Sequence, residues 1–256
     1  MSQYPPQFSL AGKSAIVTGG NRGLGLAFTR ALLEAGADVA VIHRQQCDVH
    51  EVVTAAKEHG RRVHVLHADL SDGESRSGLI SRAAEQLGKV DILVNNAGIT
   101  HREPAIDFPM AQWTRILEVN LTAVFELSQQ AARLMRKTGS GRIINVASMM
   151  SYLAGWTIPA YTASKAGIAG LTRALANEWA AHNITVNAIA PGYFLTDVTR
   201  PLQEDRKRNA EILDHIPMGR WGDPMELCGA LLLLASHAGG YITGQLIAVD
   251  GGYLIR

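Results

Sequence analysis

Seven short runs rich in β-branched and other apolar residues recur along this chain, separated by stretches long enough to hold a helix. The runs at residues 14–18, 38–42, 63–67, 91–94, 142–146, 185–189 and 246–249 read as buried strands. Strands alternating with helical patterns form βαβ units, whose right-handed crossovers build a parallel sheet with helices on both faces. Ligands then belong in the crevice at the carboxyl ends of the strands. No repeat, low-complexity tract or Pro/Gly/Ser linker divides the chain, and 256 residues with 47% hydrophobic content suit one domain over 1–256. The regular alternation breaks only at 193–222, a charged stretch with Pro201 and Pro217 near its ends, which reads as an inserted helical lid over the crevice.

Charge and cysteine content narrow the partners. With 24 basic and 23 acidic residues the net charge is +1, too even for nucleic acid or an anionic membrane, so a small molecule is expected. Cys47 and Cys228 have no metal-ligand or close pairing pattern, which suits free thiols in a reducing compartment. MSQYPPQFSL has no signal-peptide pattern and no segment approaches about 18 consecutive apolar residues, so the cytoplasm is the expected location.

Two local patterns carry chemistry. The first strand runs into TGGNRGLG, where Gly19, Gly23 and Gly25 allow a tight turn and close backbone approach to a pyrophosphate at the next helix's N-terminus. The spacing departs from the usual G-x-G-x-x-G. In AYTASKAGIAGLTRALANEW, Ile168, Leu171, Leu175 and Trp179 recur at helical spacing, so Tyr161 and Lys165 share one helix face. A tyrosine with a reference pKa of about 10 handles protons poorly at neutral pH, and a neighbouring cation favours its phenolate. Tyr161 is therefore a candidate acid/base.

Taken in order, T-G-x3-G-x-G from Thr18, NNAG at 95–98, Asn120 in EVNLTAVF, Ser148 in INVAS, the Tyr161/Lys165 pair and PGYFLT at 191–196 resemble the short-chain dehydrogenase/reductase family. The resemblance covers nearly the whole chain. It implies a doubly wound, seven-stranded, Rossmann-type α/β sheet, a nicotinamide dinucleotide, hydride transfer between carbinol and carbonyl, and a homotetramer associating through helices that begin near Asn120 and Ala160. It also implies a catalytic set of Asn120, Ser148, Tyr161 and Lys165. Tyr161 would exchange the proton with the substrate oxygen, Lys165 would hold the nicotinamide ribose and bias the phenol, Ser148 would donate to the developing oxyanion, and Asn120 would hold a water beside Lys165. Read alone, Asn120 could equally be a helix N-cap.

The same resemblance distributes the cofactor. Gly19, Asn21, Arg22, Gly23, Leu24 and Gly25 would cradle phosphates, Asp69 and Leu70 the adenine, and Asn96, Ala97 and Gly98 the adenine ribose. Pro191, Gly192 and Thr196 would seat the carboxamide, with Tyr161 and Lys165 nearby. A free 2′-hydroxyl is usually read by an acidic residue at the end of the second strand, whereas a 2′-phosphate requires positive charge. His43 holds the acidic position here, Arg44 follows, Arg22 lies in the turn, and no carboxylate remains to repel phosphate. NADP(H) is expected to be preferred, with NAD(H) possible.

Within the family, SMMSY, the Tyr161 helix with the following strand, IPMGRWGDP and AVDGGYLIR are similar to the bacterial 2-deoxy-D-gluconate 3-dehydrogenase group, pointing to a sugar acid or polyol. Ser148, Met150, Tyr161 and Tyr193 become substrate-binding candidates, with Met149 and Trp156 as further lining residues. Arg102, after the fourth strand, could take a carboxylate bidentately, unless it pairs locally with Glu103. A β-ketoacyl-carrier-protein reductase shares every catalytic motif, but its two docking arginines correspond to Gly139 and Asn177 here, although Arg136, Lys137 and Arg173 lie close by. A reductase of a bulkier secondary-metabolite ketone also stays open. A dinucleotide sensor without activity is disfavoured because both Tyr161 and Lys165 are present. No catalytic metal constellation is apparent.

Overall fold

The computed structural model describes residues 5–44 and 48–256, so Cys47 lies outside the described residues. All seven strand readings correspond to strands: β1 (Ser14–Thr18), β2 (Asp38–His43), β3 (Val63–His67), β4 (Ile92–Asn95), β5 (Gly141–Val146), β6 (Ile184–Pro191) and β7 (Leu246–Val249). They pair in parallel in the order β3-β2-β1-β4-β5-β6-β7. β6 runs two residues beyond the expected end, through Pro191. A proline fits there because it is the strand's last residue, and the Gly192 N–H resumes the ladder by donating to the Val249 carbonyl.

Helices cover both faces, which is why β1 and β6 are buried throughout and read as continuous apolar runs. On one side, α1 (Gly23–Glu34), α2 (His50–Glu58) and α10 (Cys228–Ala235) enclose a core containing Phe28, Leu32 and Leu231. On the other, α4 (Leu79–Leu87), α6 (Ala123–Thr138) and α7 (Pro159–Trp179) enclose Leu79, Leu127 and Leu175. Each large side chain so buried contributes about 1.5–3 kcal/mol. The shorter helices are α3 (Gly73–Arg76), α5 (Met110–Leu117), α8 (Arg200–Glu204) and α9 (Arg206–His215). No described helix is long and apolar enough to cross a membrane. Cys228 is buried under α1, which pushes its thiol up to about 12 and leaves it inert.

The strand order reverses at β1, with β2 on one side and β4 on the other. The loops leaving β1 and β4 therefore diverge and open a crevice at their carboxyl ends. The stretch 193–222 is inserted beside it as α8 and α9, closed at its base by a bridge between Phe194 and Gly222. α9 is capped by the Asp205 carboxylate, and Ile212, Ile216 and Trp221 form a small core of their own with Tyr193 and Tyr253.

Candidate active site and cofactor cleft

The glycine turn is shaped by contacts a larger residue would destroy. Gly19 and Gly23 have φ values of +63° and +52°, and a Cβ on Gly25 would stand 2.0 Å from the Gly19 carbonyl oxygen. Arg22 is the N-cap of α1 but its side chain caps nothing, so the first N–H groups of α1 are left for an external anion. The turn is braced from β4. Thr18 Oγ1 accepts from the N–H groups of Asn96 and Ala97, each at 3.0 Å, while Asn96 Nδ2 donates to the carbonyls of Thr18 and Gly19. Thr196 packs over the turn, its methyl 3.8 Å from where a Gly23 Cβ would be. A cavity of mixed charge, about 430 Å³, opens alongside between α1 and the inserted helices, lined by Arg30 and Arg200 but also by Asp197 and Asp223. The glycine turn and the free N–H groups of α1 fit a dinucleotide pyrophosphate.

At the end of β2 the charges follow the expected sign, with one addition. His43 is buried, its Nδ1–H donating to the Arg44 carbonyl, and burial holds its pKa below the usual imidazole value. It is a neutral residue packed on His67. Arg22 and Arg44 are exposed and make no ion pair among the described residues. The addition is Asp69, the carboxylate that the β2 sequence alone does not reveal. It accepts from the N–H and hydroxyl of Ser71, which lower its pKa, and the Arg44 charge lowers it further. Asp69 therefore stands within electrostatic range of Arg44.

The four catalytic candidates converge from three elements at the carboxyl edge of the sheet. α7 carries Tyr161 and Lys165, as the spacing predicts, with the Lys165 ammonium 5.6 Å from the Tyr161 ring centre. Lys165 Nζ donates to the Val146 carbonyl at 2.6 Å. Ser148 follows β5 and accepts from the Met150 N–H. Asn120 is no N-cap: it lies inside a π-helical turn, Glu118–Thr122, between α5 and α6. The extra residue of such a turn redirects side chains and is common at functional sites. Its amide is held by both backbone groups of Ile99 at 2.9 Å and by Ser164 Oγ at 3.1 Å. Gly98 leaves the space between Asn120 and Lys165 open, since a Cβ there would be 3.5 Å from Asn120 Oδ1 and 3.8 Å from Lys165 Nζ.

Electrostatically the protein alone does not lower the Tyr161 pKa. Burial pushes the phenol up, only partly offset by the Ser148 hydroxyl, and burial pulls Lys165 down to about 8. The Lys165 ammonium lies over the Tyr161 ring and is engaged by the Val146 carbonyl.

The substrate candidates divide. Met150 is half-buried beside Gly155, whereas Met149 is a core residue and Trp156 is 90% exposed. Tyr193 stacks edge-on against Trp221 and Tyr253 at 5.3 and 5.4 Å, so its ring supports the inserted helices. Arg102 is exposed in a loop that the Glu103 N–H ties to Thr157 at 2.9 Å. It does not pair with Glu103, whose partner is His101 at 3.8 Å, and among the described residues it forms no ion pair. Leu70 is buried, and Pro191 and Gly192 close β6 with Gly192 pressed against Asp250.

Several supporting residues carry no motif of their own. Ser151 Oγ donates to the Lys165 carbonyl at 2.6 Å and Ser164 Oγ to the Tyr161 carbonyl at 2.7 Å, locking α7 against the Ser148 turn and Asn120. Asn95, Asn145, Ser128 and Thr172 form a buried polar chain between β4, β5 and the helices. Such partners are distant in sequence, and only the side chains' polarity hinted at them.

Comparison with known proteins gives the same direction. The family described as enoyl-(acyl carrier protein) reductase matches residues 19–254. A 2-dehydro-3-deoxy-D-gluconate 5-dehydrogenase of Dickeya dadantii is 49% identical over 251 residues, covering 97% of this chain and 98% of that protein. The Escherichia coli protein of the same name is 48% identical over the same shares. A crystal structure of a gluconate 5-dehydrogenase from Burkholderia cenocepacia, in complex with NADP and tartrate, superposes with a TM-score of 0.91 at 37% identity, covering 98% of each chain. With the glycine turn, the switch-point crevice and the Tyr161/Lys165 helix in place, the chain belongs to the short-chain dehydrogenase/reductase family.

Proposed function

We propose that this protein is an NADP(H)-dependent oxidoreductase that interconverts a secondary alcohol and a ketone on a sugar acid. The observation that carries the reading is the convergence of Asn120, Ser148, Tyr161 and Lys165 on one point of the crevice, beside a glycine turn shaped for a pyrophosphate. When bound, the nicotinamide supplies or accepts the hydride. Tyr161 exchanges the proton with the substrate oxygen, Ser148 donates to that oxygen as charge develops, and Lys165 holds the ribose. Turned from the Val146 carbonyl toward a cofactor ribose, the Lys165 ammonium would counter the effect of burial on Tyr161. Asn120 and Lys165 share the opening at Gly98 through which the proton is resupplied.

NADP(H) is favoured because Arg22 and Arg44 are exposed cations beside a neutral His43, and guanidinium groups suit phosphate. Two sugar-acid dehydrogenases at 48–49% identity and a gluconate 5-dehydrogenase holding NADP support the substrate class and the cofactor. The helices of 193–222 act as the substrate lid, and the molecule is a homotetramer. Arg102 takes the substrate carboxylate. Steady-state rates with sugar acids, neutral polyols and acetoacetyl thioesters test the reading: Arg102→Ala should raise KM for the acid by about tenfold or more, since a charge-assisted contact contributes about 1.5–3 kcal/mol, and leave the neutral substrate nearly unchanged. Equal effects would remove Arg102 from the site, and faster thioester turnover would favour the acyl-thioester reductase.

A further inference from the structure

Arg76, the last residue of α3, is 3% exposed and is the only arginine buried among the described residues. Its guanidinium joins three separate segments. Nη1 donates to the Leu70 carbonyl at 2.7 Å, next to Asp69. Nε and Nη2 donate to the Glu126 carboxylate in the first turn of α6, at 2.6 and 3.2 Å. Nη2 also donates at 3.1 Å to Glu118, the first residue of the π-turn and two positions before Asn120. Gln130 completes the attachment, donating to the Arg76 carbonyl and accepting from the Ile80 N–H.

A buried guanidinium with two carboxylates is a weak device for stability alone, since apolar side chains of similar volume often serve as well. Its geometry is more selective than its energy. A π-turn is a rare interruption of a helix, found most often at functional sites. Here Ile99 and Ser164 fix the middle through Asn120, and Arg76 fixes the start through Glu118. The same planar group holds the loop after β3, so that loop and the π-turn cannot shift independently without breaking charge-assisted bonds.

We infer that Arg76 is a positioning residue that holds the Asp69–Leu70 loop in register with the π-turn presenting Asn120 to Lys165, so that one guanidinium sets both the adenine end of the cofactor site and the proton-handling end. The inference rests on the function proposed above for those two ends. Glu118→Gln strips the charge from the π-turn's bond to Arg76 and weakens it while leaving the Arg76 bonds to Glu126 and Leu70, and Arg76→Lys keeps the charge but cannot span the three segments.

The two variants separate positioning from mere support. For residues coupling two sites, effects of about 3- to 30-fold are the expected range. Glu118→Gln should lower kcat by about fivefold with the NADP Kd, from fluorescence titration, within about twofold of the parent. Arg76→Lys should raise that Kd and lower kcat together, each by about five- to tenfold. In the cofactor-free protein, hydrogen exchange should quicken at 118–122 alone in Glu118→Gln, and at both 68–72 and 118–122 in Arg76→Lys. A lowered Tm with kcat, Kd and the exchange pattern unchanged in either variant would reduce Arg76 to structural support and overturn the inference. If Arg76→Lys does not fold, Glu118→Gln decides by the same split. Because exchange is read without cofactor or substrate, a parent protein inactive on every sugar acid would overturn the proposed function while the register of the two segments is still measured.

Discussion

At Tyr161 and Lys165, burial produces both the catalytic potential and a cost to the fold. Tyr161→Phe keeps the ring and removes the hydroxyl, so kcat should fall by at least about 10²-fold, the usual loss for a positioned acid/base, with the cofactor Kd unchanged. Near-normal turnover would exclude Tyr161 as the proton donor. Lys165 has a pKa of about 8 in the folded chain against 10.5 for an ordinary lysine. Between those values the unfolded chain binds more protons, so stability rises as pH climbs from about 8 to 10.5, and below about 8 the buried ammonium destabilises the fold. Lys165→Met should therefore stabilise the protein without cofactor at pH 7, by on the order of 1–3 kcal/mol after allowing for the lost bond to Val146, and raise its Tm. The gain should vanish above about pH 10.5, where lysine is neutral in both states. A lower Tm at pH 7 would show that the ammonium is not strained by burial. The same substitution should abolish turnover, so that stability and activity move in opposite directions.

Among the elements, the glycine turn is the most exacting. Gly25→Ala places a methyl 2.0 Å from the Gly19 carbonyl and 2.5 Å from Asn96 Nδ2, so either the turn opens or α1 moves. Thermal unfolding should show a loss at the upper end of the roughly 1–3 kcal/mol of overpacking, together with loss of NADP binding in titration. A variant that binds normally would mean the turn is not the pyrophosphate cradle. The sequence shows this turn, the seven strands and the Tyr161/Lys165 face because each is written in local spacing: glycines, apolar runs and a four-residue interval. The π-turn at Glu118–Thr122 was hidden, since EVNLTAVF has no signal separating an α- from a π-helical turn and leaves Asn120 open to an N-cap reading. Asp69 beside Arg44, Arg76 between Leu70 and Glu118, and Tyr193 against Trp221 depend on residues brought together only by the sheet order. Spacing likewise gives proximity on a helix but not the Val146 carbonyl that engages the Lys165 ammonium.

For the molecule as a whole, the order of the sheet brings distant segments to one crevice, with the glycine turn and β4 loop at its centre, Arg44 at one end and Ser148 with Tyr161 at the other. The loop of Arg102 is tied to Thr157, just ahead of the helix that carries Tyr161. Under the proposed function, charge complementarity at the Arg44 end selects the cofactor, and chemistry proceeds some distance away on the same sheet edge. The most direct test is kcat/KM for reduction of a keto sugar acid with NADPH and with NADH, measured for the parent protein and for Arg44→Asp. The expected result is a preference for NADPH of at least about tenfold, one charge-assisted contact's worth, that Arg44→Asp removes or reverses. A parent protein that prefers NADH, or an Arg44→Asp variant with an unchanged ratio, would contradict it.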